Sequence, residues 1–226
     1  GEIRRFFEML GPSDIRKVQE LMLPMEDADY KSNLSIFQYR FPLDQNYDEA
    51  LKIINEFAST DSKSLLGISF LSNTIPTQLR IYLKEFVAAL SILENLKGTK
   101  FIFSDCSILN CIYAGAFIFH KRNIEDATLA MEKLFNLRGE VIPTSIENKK
   151  LAALRENGEM LYSEAEIVEL RSNVRIEKIY LLDEIIDRKA FDGLELSHKK
   201  QYLDQHHCYV AISSRAKIAI QKADII

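Results

Sequence analysis

The sequence predicts an α/β fold with three layers, in which a mainly parallel sheet lies between helices and carries an antiparallel hairpin insertion. Two observations support this fold. Segments with apolar residues at helical spacing alternate with short apolar runs that are typical of buried strands. One such run, Phe-Ile-Phe at residues 101–103, is followed by a polar loop and an apolar helix, which together form half of a βαβ unit. The predicted arrangement is therefore Rossmann-like, with residues 101–103 inside the parallel sheet.

Composition and charge exclude several classes of protein. The 226 residues are 47% hydrophobic and 27% charged, so the chain can form a sizeable core. A net charge of −4 argues against non-specific nucleic-acid binding, and no apolar run is long enough to cross a bilayer. The three cysteines (Cys106, Cys111 and Cys208) include no C-x-x-C pair, so neither a disulfide framework nor a structural metal site is expected. These features favour the cytoplasm and unpaired thiols.

Apolar residues at helical spacing predict the helices of the first hundred residues, at positions 2–10, 13–23, 47–57 and 74–97. Pro12 and Ser13 mark the entry to the second of these helices, with Ser13 as the candidate N-cap. The polar residues 25–35 are predicted to be a loop.

The second half of the chain combines helices with an antiparallel block. Asn123 caps a predicted helix that ends near Gly139, and Asn157-Gly158 indicates a hairpin. The predicted strands are residues 140–144, 151–155, 160–162, 164–168 and 175–181. Residues 183–205 are interpreted as a helix and a loop, a helix follows Ser213 or Ser214, and residues 223–226 begin a last strand.

Two predicted helix starts carry the side chains of an anion site. Asp14 and Arg16 lie in the first turn after Ser13, and Ser107 and Asn110 lie at the start of the helix after residue 103. Free N–H groups and the macrodipole attract anions to helix N-termini, so a phosphate could lie across both starts with Arg16 as its counter-charge. The alternative is purely structural, with Ser107 as an N-cap, Asn110 satisfying backbone groups and a surface ion pair on the other helix.

Several short segments occur in the order found in one known family. They are residues 1–5, then P-S-D-I-R at 12–16, S-I-L-N at 107–110, R-G-E-V-I-P-T at 138–144, the hairpin with Glu164 and Ile167, and A-I-Q-K-A-D-I-I at 219–226. This set resembles the 2-phospho-L-lactate transferase-like superfamily. The branch nearest in motif is the gluconeogenesis-factor-like proteins, which bind UDP-sugars.

The resemblance implies one domain over residues 1–226, a fragment that lacks the first and last glycine-rich loops of the family. It implies a nucleotide or nucleotide-sugar ligand, bound by Gly1, Asp14, Arg16, Ser107 and Asn110. No cofactor is evident, and a divalent metal that accompanies a nucleotide is left open, as is a homo-oligomer. No catalytic residue is assigned.

Three functions follow from this resemblance. The first is a UDP-sugar-binding domain of a transferase-like or regulatory protein. The second is a phospholactate-type transferase that acts on a deazaflavin. The third is a degenerate domain used for protein–protein interaction, which is favoured because Ser13 and Leu109 replace glycines of the family motifs.

Overall fold

The structure, a computed structural model, describes residues 2–59, 64–65, 67–71, 74–169 and 172–224. Gly1, one of the predicted ligand contacts, lies outside the described residues. The chain divides into two compact units, residues 1–146 with 215–226 and residues 147–214. That the whole chain is one domain stays a prediction.

The structure combines helices with short strands. The helices are α1 (Glu2–Phe7), α2 (Ser13–Leu21), α3 (Tyr30–Gln38), α4 (Tyr47–Ser59), α5 (Thr74–Lys97), α6 (Ile108–Phe119), α7 (Ile124–Leu134), α8 (Glu164–Glu169), α9 (Arg188–Asp192), α10 (Leu196–His206) and α11 (Ser214–Lys222). The strands are β1 (Ser64–Leu65), β2 (Ile68–Ser69), β3 (Lys150–Arg155), β4 (Met160–Leu161) and β5 (Ile176–Leu182). The helices predicted from apolar spacing are confirmed apart from their ends.

The first unit is organised around α6, which is buried along nearly its whole length, as its sequence predicts. Its closest neighbour is α5, and Gly115 lies at the crossing. A β-carbon on Gly115 would overlap the carbonyl oxygen of Tyr82, and it would lie 2.6 Å from the Tyr82 carbonyl carbon and 3.1 Å from the Phe86 nitrogen. The two helix backbones therefore touch at this point because residue 115 has no side chain.

Residues 101–103 do not form the predicted strand. Phe101 and Phe103 are buried and Ile102 is 56% exposed, so the segment alternates as a strand would. Its backbone partners come from elsewhere, since the Phe101 N–H donates to Glu94 Oε1 at 3.0 Å and the Phe103 carbonyl accepts from the Cys106 N–H. The two rings lie 4.8 Å apart between centroids and pack into the aromatic core. Burial here comes from aromatic packing without a strand ladder.

Every strand pairing among the described residues is antiparallel. β1 pairs with β2, and the second unit contains a three-stranded sheet in the order β4-β3-β5. The mixed helix and strand content is confirmed, and so is the hairpin at Asn157-Gly158, where Gly158 adopts a φ of 84°. The parallel sheet and the Rossmann-like three-layer arrangement are not confirmed.

Three further local predictions are wrong. Residues 140–144, predicted to be a strand, form neither a strand nor a helix. Residues 30–35, predicted to be a loop, belong to α3, and residues 164–168, predicted to be a strand, belong to α8. In the last predicted strand, residues 225–226 lie outside the described residues.

Ser163 Oγ accepts from the Glu166 N–H at 3.2 Å, and the Glu166 carboxylate accepts from the Tyr162 N–H at 2.8 Å. Ser163 thus caps α8 as the serine of an S-x-x-E sequence does, whereas Glu166 reaches back to the residue before the cap. Both bonds favour a helix start over a strand in this segment.

Candidate functional site

The two helix starts that the sequence assigns to one site lie side by side. Asn110 Nδ2, in the first turn of α6, donates to Ser13 Oγ at the start of α2 over 3.4 Å. α2 begins at Ser13 itself, with Pro12 in the N-cap position, so the prediction of Ser13 as N-cap is wrong. The Ser13 hydroxyl instead joins the two helices.

The start of α6 is fixed by a short pairing with residues 39–41. Arg40 and Ser107 form an isolated antiparallel bridge, and the Ile108 N–H donates to the Tyr39 carbonyl at 3.2 Å. The Phe41 N–H donates to the Cys106 carbonyl at 2.9 Å. These bonds use one of the N–H groups of the α6 N-terminus, so less of the helix end is free for an anion than the sequence predicts.

Two buried side-chain oxygens at this point have no hydrogen-bond partner among the described residues. Ser107 is 0% exposed, stands in the N-cap position of α6 and makes no side-chain cap bond. Asn110 Oδ1 is buried and unpartnered as well. The Asn110 and Cys111 N–H groups both donate to the Ser107 carbonyl, so the helix start does not use the Ser107 hydroxyl. Because an unpaired buried polar atom costs about 1–3 kcal/mol, these atoms are suited to bind a ligand.

Arg16 is buried, not exposed as a surface ion pair would be. Its side chain anchors α2 to the end of α3, since Nη1 donates to the Phe37 carbonyl at 2.6 Å, and Glu20 Oε2 lies 3.9 Å from the same nitrogen. The residue is 7% exposed, and its Nε has no partner among the described residues. Burial first, and then the charge of Arg40, lower the pKa of Arg16. Arg16 is therefore a desolvated cation that keeps one donor unused.

Arg40 lies at the candidate site, although the sequence did not indicate it. Its Nε donates to Asp105 Oδ1 at 2.8 Å and its Nη2 to Asp105 Oδ2 at 3.2 Å. This bidentate pair raises the pKa of Arg40 and lowers that of Asp105. The partners are 65 positions apart in the chain, so no local pattern could have indicated the contact. We name Ser13, Arg16, Arg40, Ser107 and Asn110 the helix-start cluster.

Asp14 is not brought into this cluster by any contact that the structure describes. It lies exposed in the first turn of α2. Within the part of the chain that the structure describes, no three His, Cys, Asp or Glu side chains are grouped as metal ligands. No described helix is both long and apolar enough to cross a membrane.

The fold and the helix-start cluster together define the class: a mixed α/β protein in which polar and cationic side chains lie near the starts of α2 and α6. The chain belongs to the 2-phospho-L-lactate transferase CofD family, whose model matches residues 1–226. The resemblance to this superfamily is thus confirmed, whereas the UDP-sugar-binding branch is not.

The chain is similar over most of its length to a solved structure. It is that of protein BH3568 from Bacillus halodurans, which is 17% identical, with a TM-score of 0.46. The match covers 85% of this chain and 42% of that one, so the chain spans less than half the length of the Bacillus protein. No curated protein matches the chain.

Proposed function

We propose that the chain is part of a phospholactate-type transferase, and that the helix-start cluster binds the phosphate of its donor substrate. The observation that carries this proposal is the pair of buried, unpartnered side-chain oxygens of Ser107 and Asn110 at a helix start that pairs with Arg40 through the backbone. The family supplies the class of reaction, the transfer of a 2-phospho-L-lactate group. A deazaflavin is the acceptor that the resemblance implies.

Three members of the helix-start cluster have side chains suited to a nucleotide ligand. A guanidinium group binds phosphate oxygens through paired, charge-assisted hydrogen bonds, and Arg40 already holds the Asp105 carboxylate in that way. A phosphate would compete with this carboxylate for the same two donors. The Ser107 hydroxyl can donate to a phosphate oxygen, and the Asn110 amide can accept from a ribose hydroxyl or donate to a base.

The departures from the family motifs do not argue for a degenerate site. Leu109, which replaces a glycine, is fully buried in the hydrophobic core. Ser13, which replaces another, is exposed and hydrogen-bonded to Asn110. Both changes leave the unpartnered oxygens of the cluster in place, which supports a working binding site over a domain kept only for protein contacts.

Calorimetric titration of the full-length protein with nucleotides and with UDP-sugars tests the proposal. Arg40→Ala removes a charge-assisted contact, whose loss costs about 1.5–3 kcal/mol, and should weaken nucleotide binding about tenfold to a hundredfold. Asn110→Ala removes a neutral contact and should weaken it about threefold to tenfold. Arg16→Ala is expected to weaken binding strongly as well, but it also removes the bond to Phe37 and is a poorer test.

Matched control variants show whether a loss of nucleotide affinity is specific to the helix-start cluster or follows from any removal of a cation or an amide. Lys17→Ala removes a cation from an exposed position of α2, and Asn55→Ala removes an amide from the exposed face of α4. Both controls should bind as the wild type does. If Arg40→Ala and Asn110→Ala also bind normally, the ligand lies elsewhere. If only UDP-sugars bind, the regulatory interpretation is correct, and if no nucleotide binds, the partner-binding interpretation replaces the proposal.

The transfer itself is measured with a deazaflavin acceptor and a nucleotide-linked phospholactate donor. Product formation by the full-length wild type, reduced in Arg40→Ala and retained in Lys17→Ala, is the expected result. Tight nucleotide binding without any transfer would contradict the enzymatic part of the proposal and leave the binding part standing.

A further inference from the structure

Cys106 and Cys111 form a close pair of free thiols at the start of α6. Their Sγ atoms lie 3.8 Å apart, and both thiols are free. Because Ser107 is the N-cap, Cys106 occupies the position before the cap and Cys111 the fourth helical position. Side chains at these two positions regularly pack together and fix the entry of the chain into a helix. The backbone of the helix start therefore holds the two sulfurs in contact.

We propose that Cys106 and Cys111 are a redox-sensitive dithiol, which a hydroperoxide converts into an intrachain disulfide. The Cys106 sulfur attacks the peroxide, gaining an S–O bond as the O–O bond breaks, and an alcohol or water leaves. The Cys111 sulfur then attacks the resulting sulfenic acid, the S–S bond forms, and the hydroxyl departs as water with the Cys111 proton. Two electrons pass from the sulfurs to the peroxide.

The order of these steps follows from exposure and surroundings. Cys106 is 9% exposed and Cys111 is fully buried, so an oxidant reaches Cys106 first. Burial first, and then the contact with Cys106, raise the pKa of the Cys111 thiol. The Cys111 thiol is therefore protonated at neutral pH, which also assigns the first reaction with the peroxide to Cys106.

Disulfide formation requires only a short movement. The S–S bond is about 2 Å long, so the sulfurs must approach by somewhat less than 2 Å from their present separation. Cys111 is fixed within α6, whereas Cys106 lies outside the helix in a loop. The Cys106 carbonyl accepts from the N–H of Phe41, the residue after Arg40. A movement of residue 106 would therefore displace Arg40, which belongs to the helix-start cluster. The thiol chemistry itself does not depend on the function proposed for that cluster.

Peptide mapping of the folded, full-length protein tests this inference without any variant. Both cysteines lie in one tryptic peptide, residues 101–121, and Cys208 lies in another, residues 201–215. The protein is treated with hydrogen peroxide, quenched, unfolded and alkylated before digestion. The expected product is a 101–121 peptide without alkyl groups that has lost two hydrogen atoms, and that regains two alkylation sites after dithiothreitol. Cys208 should remain alkylatable under the same mild treatment.

Variants and concentration dependence decide the mechanism. The rate at which the two thiols are lost should not depend on protein concentration, since the disulfide forms within one chain. In Cys106→Ala, Cys111 should remain alkylatable, whereas in Cys111→Ala, Cys106 should be trapped as a sulfenic acid by dimedone. The inference is overturned if peptide 101–121 keeps both alkyl groups when Cys208 is already oxidised. It is also overturned if the two cysteines are recovered as sulfinic acids or as links between chains.

Discussion

Replacement of Gly115 by alanine should separate the two helices that build the first unit. The new β-carbon would lie 2.6 Å from the Tyr82 carbonyl carbon, whereas carbon atoms in contact normally stand about 3.5–4 Å apart. The obstructing atoms belong to the α5 backbone, so no side-chain rotation can relieve the overlap. The overlap with the Tyr82 carbonyl oxygen is the larger one, so the axes of α5 and α6 would have to move apart by roughly 1–2 Å, and the contacts on both sides of the crossing would loosen.

The expected change in the free energy of unfolding is the difference between two opposing contributions. Alanine stabilises the interior of a helix by about 1 kcal/mol relative to glycine. Overpacking of a core typically costs 1–3 kcal/mol, and the rigid backbone partner places this case at about 3 kcal/mol. The net loss is about 2 kcal/mol, which corresponds to a fall in Tm of roughly 4–8 °C for a chain of this size.

Urea denaturation followed by circular dichroism measures this loss, provided that the m-value stays unchanged. Gly11→Ala is the matched control, because a β-carbon there would meet only Arg4 Cδ at 3.9 Å. The control should change stability by less than about 0.5 kcal/mol. If Gly115→Ala is as stable as Gly11→Ala, the close contact of α5 with α6 does not exist and the reasoning is wrong.

Two further predictions concern buried and capping contacts. Burial alone would raise the pKa of Glu94, but hydrogen bonds from Phe101, Tyr47 and Lys100 hold it below its usual 4.5. Since the pKa of Glu94 is lower in the folded than in the unfolded protein, the stabilisation is present above about pH 4.5 and is lost as the pH falls through the folded pKa. Glu94→Gln should therefore reduce the loss of folding stability at acid pH, measured as the free energy of unfolding against pH. An unchanged acid dependence would contradict this role of Glu94. Asn123 caps α7, since its side-chain oxygen accepts from two backbone N–H groups. Asn123→Ala should lower the free energy of unfolding, measured by urea denaturation, by about 1 kcal/mol, and Asn123→Asp should lower it much less. Equal losses in the two variants would exclude the cap.

The helices were predictable because their signals are local. Asn123 before an acidic first turn marked the start of α7, and the apolar residues of α6 indicated a helix buried on all sides. The S-x-x-E pattern of Ser163 and Glu166 was equally visible in the sequence, yet residues 164–168 were predicted to be a strand. Local hydrogen-bond chemistry was the better guide at that position.

The errors arose where partners come from distant parts of the chain. Phe101 and Phe103 are apolar enough for a strand, yet a strand also needs a neighbour to pair with, and three residues cannot reveal whether one exists. The candidate site shows the same limit, since Asn110 and Ser107 were identified from their place at a helix start. Arg40 could be found only after the fold placed it on Asp105.

The local packing of α5 against α6 has a consequence for the order in which the chain folds. These two helices follow each other in sequence, so they can dock with little loop-closure entropy, and they are candidates for the folding nucleus. The helix-start cluster joins Asn110 to Ser13 across 97 positions and Arg40 to Asp105 across 65, contacts of high contact order. We therefore expect φ-values near 1 for substitutions at the α5–α6 crossing and near 0 in the helix-start cluster. The residues of the proposed binding site would then assemble only after the rate-limiting step of folding.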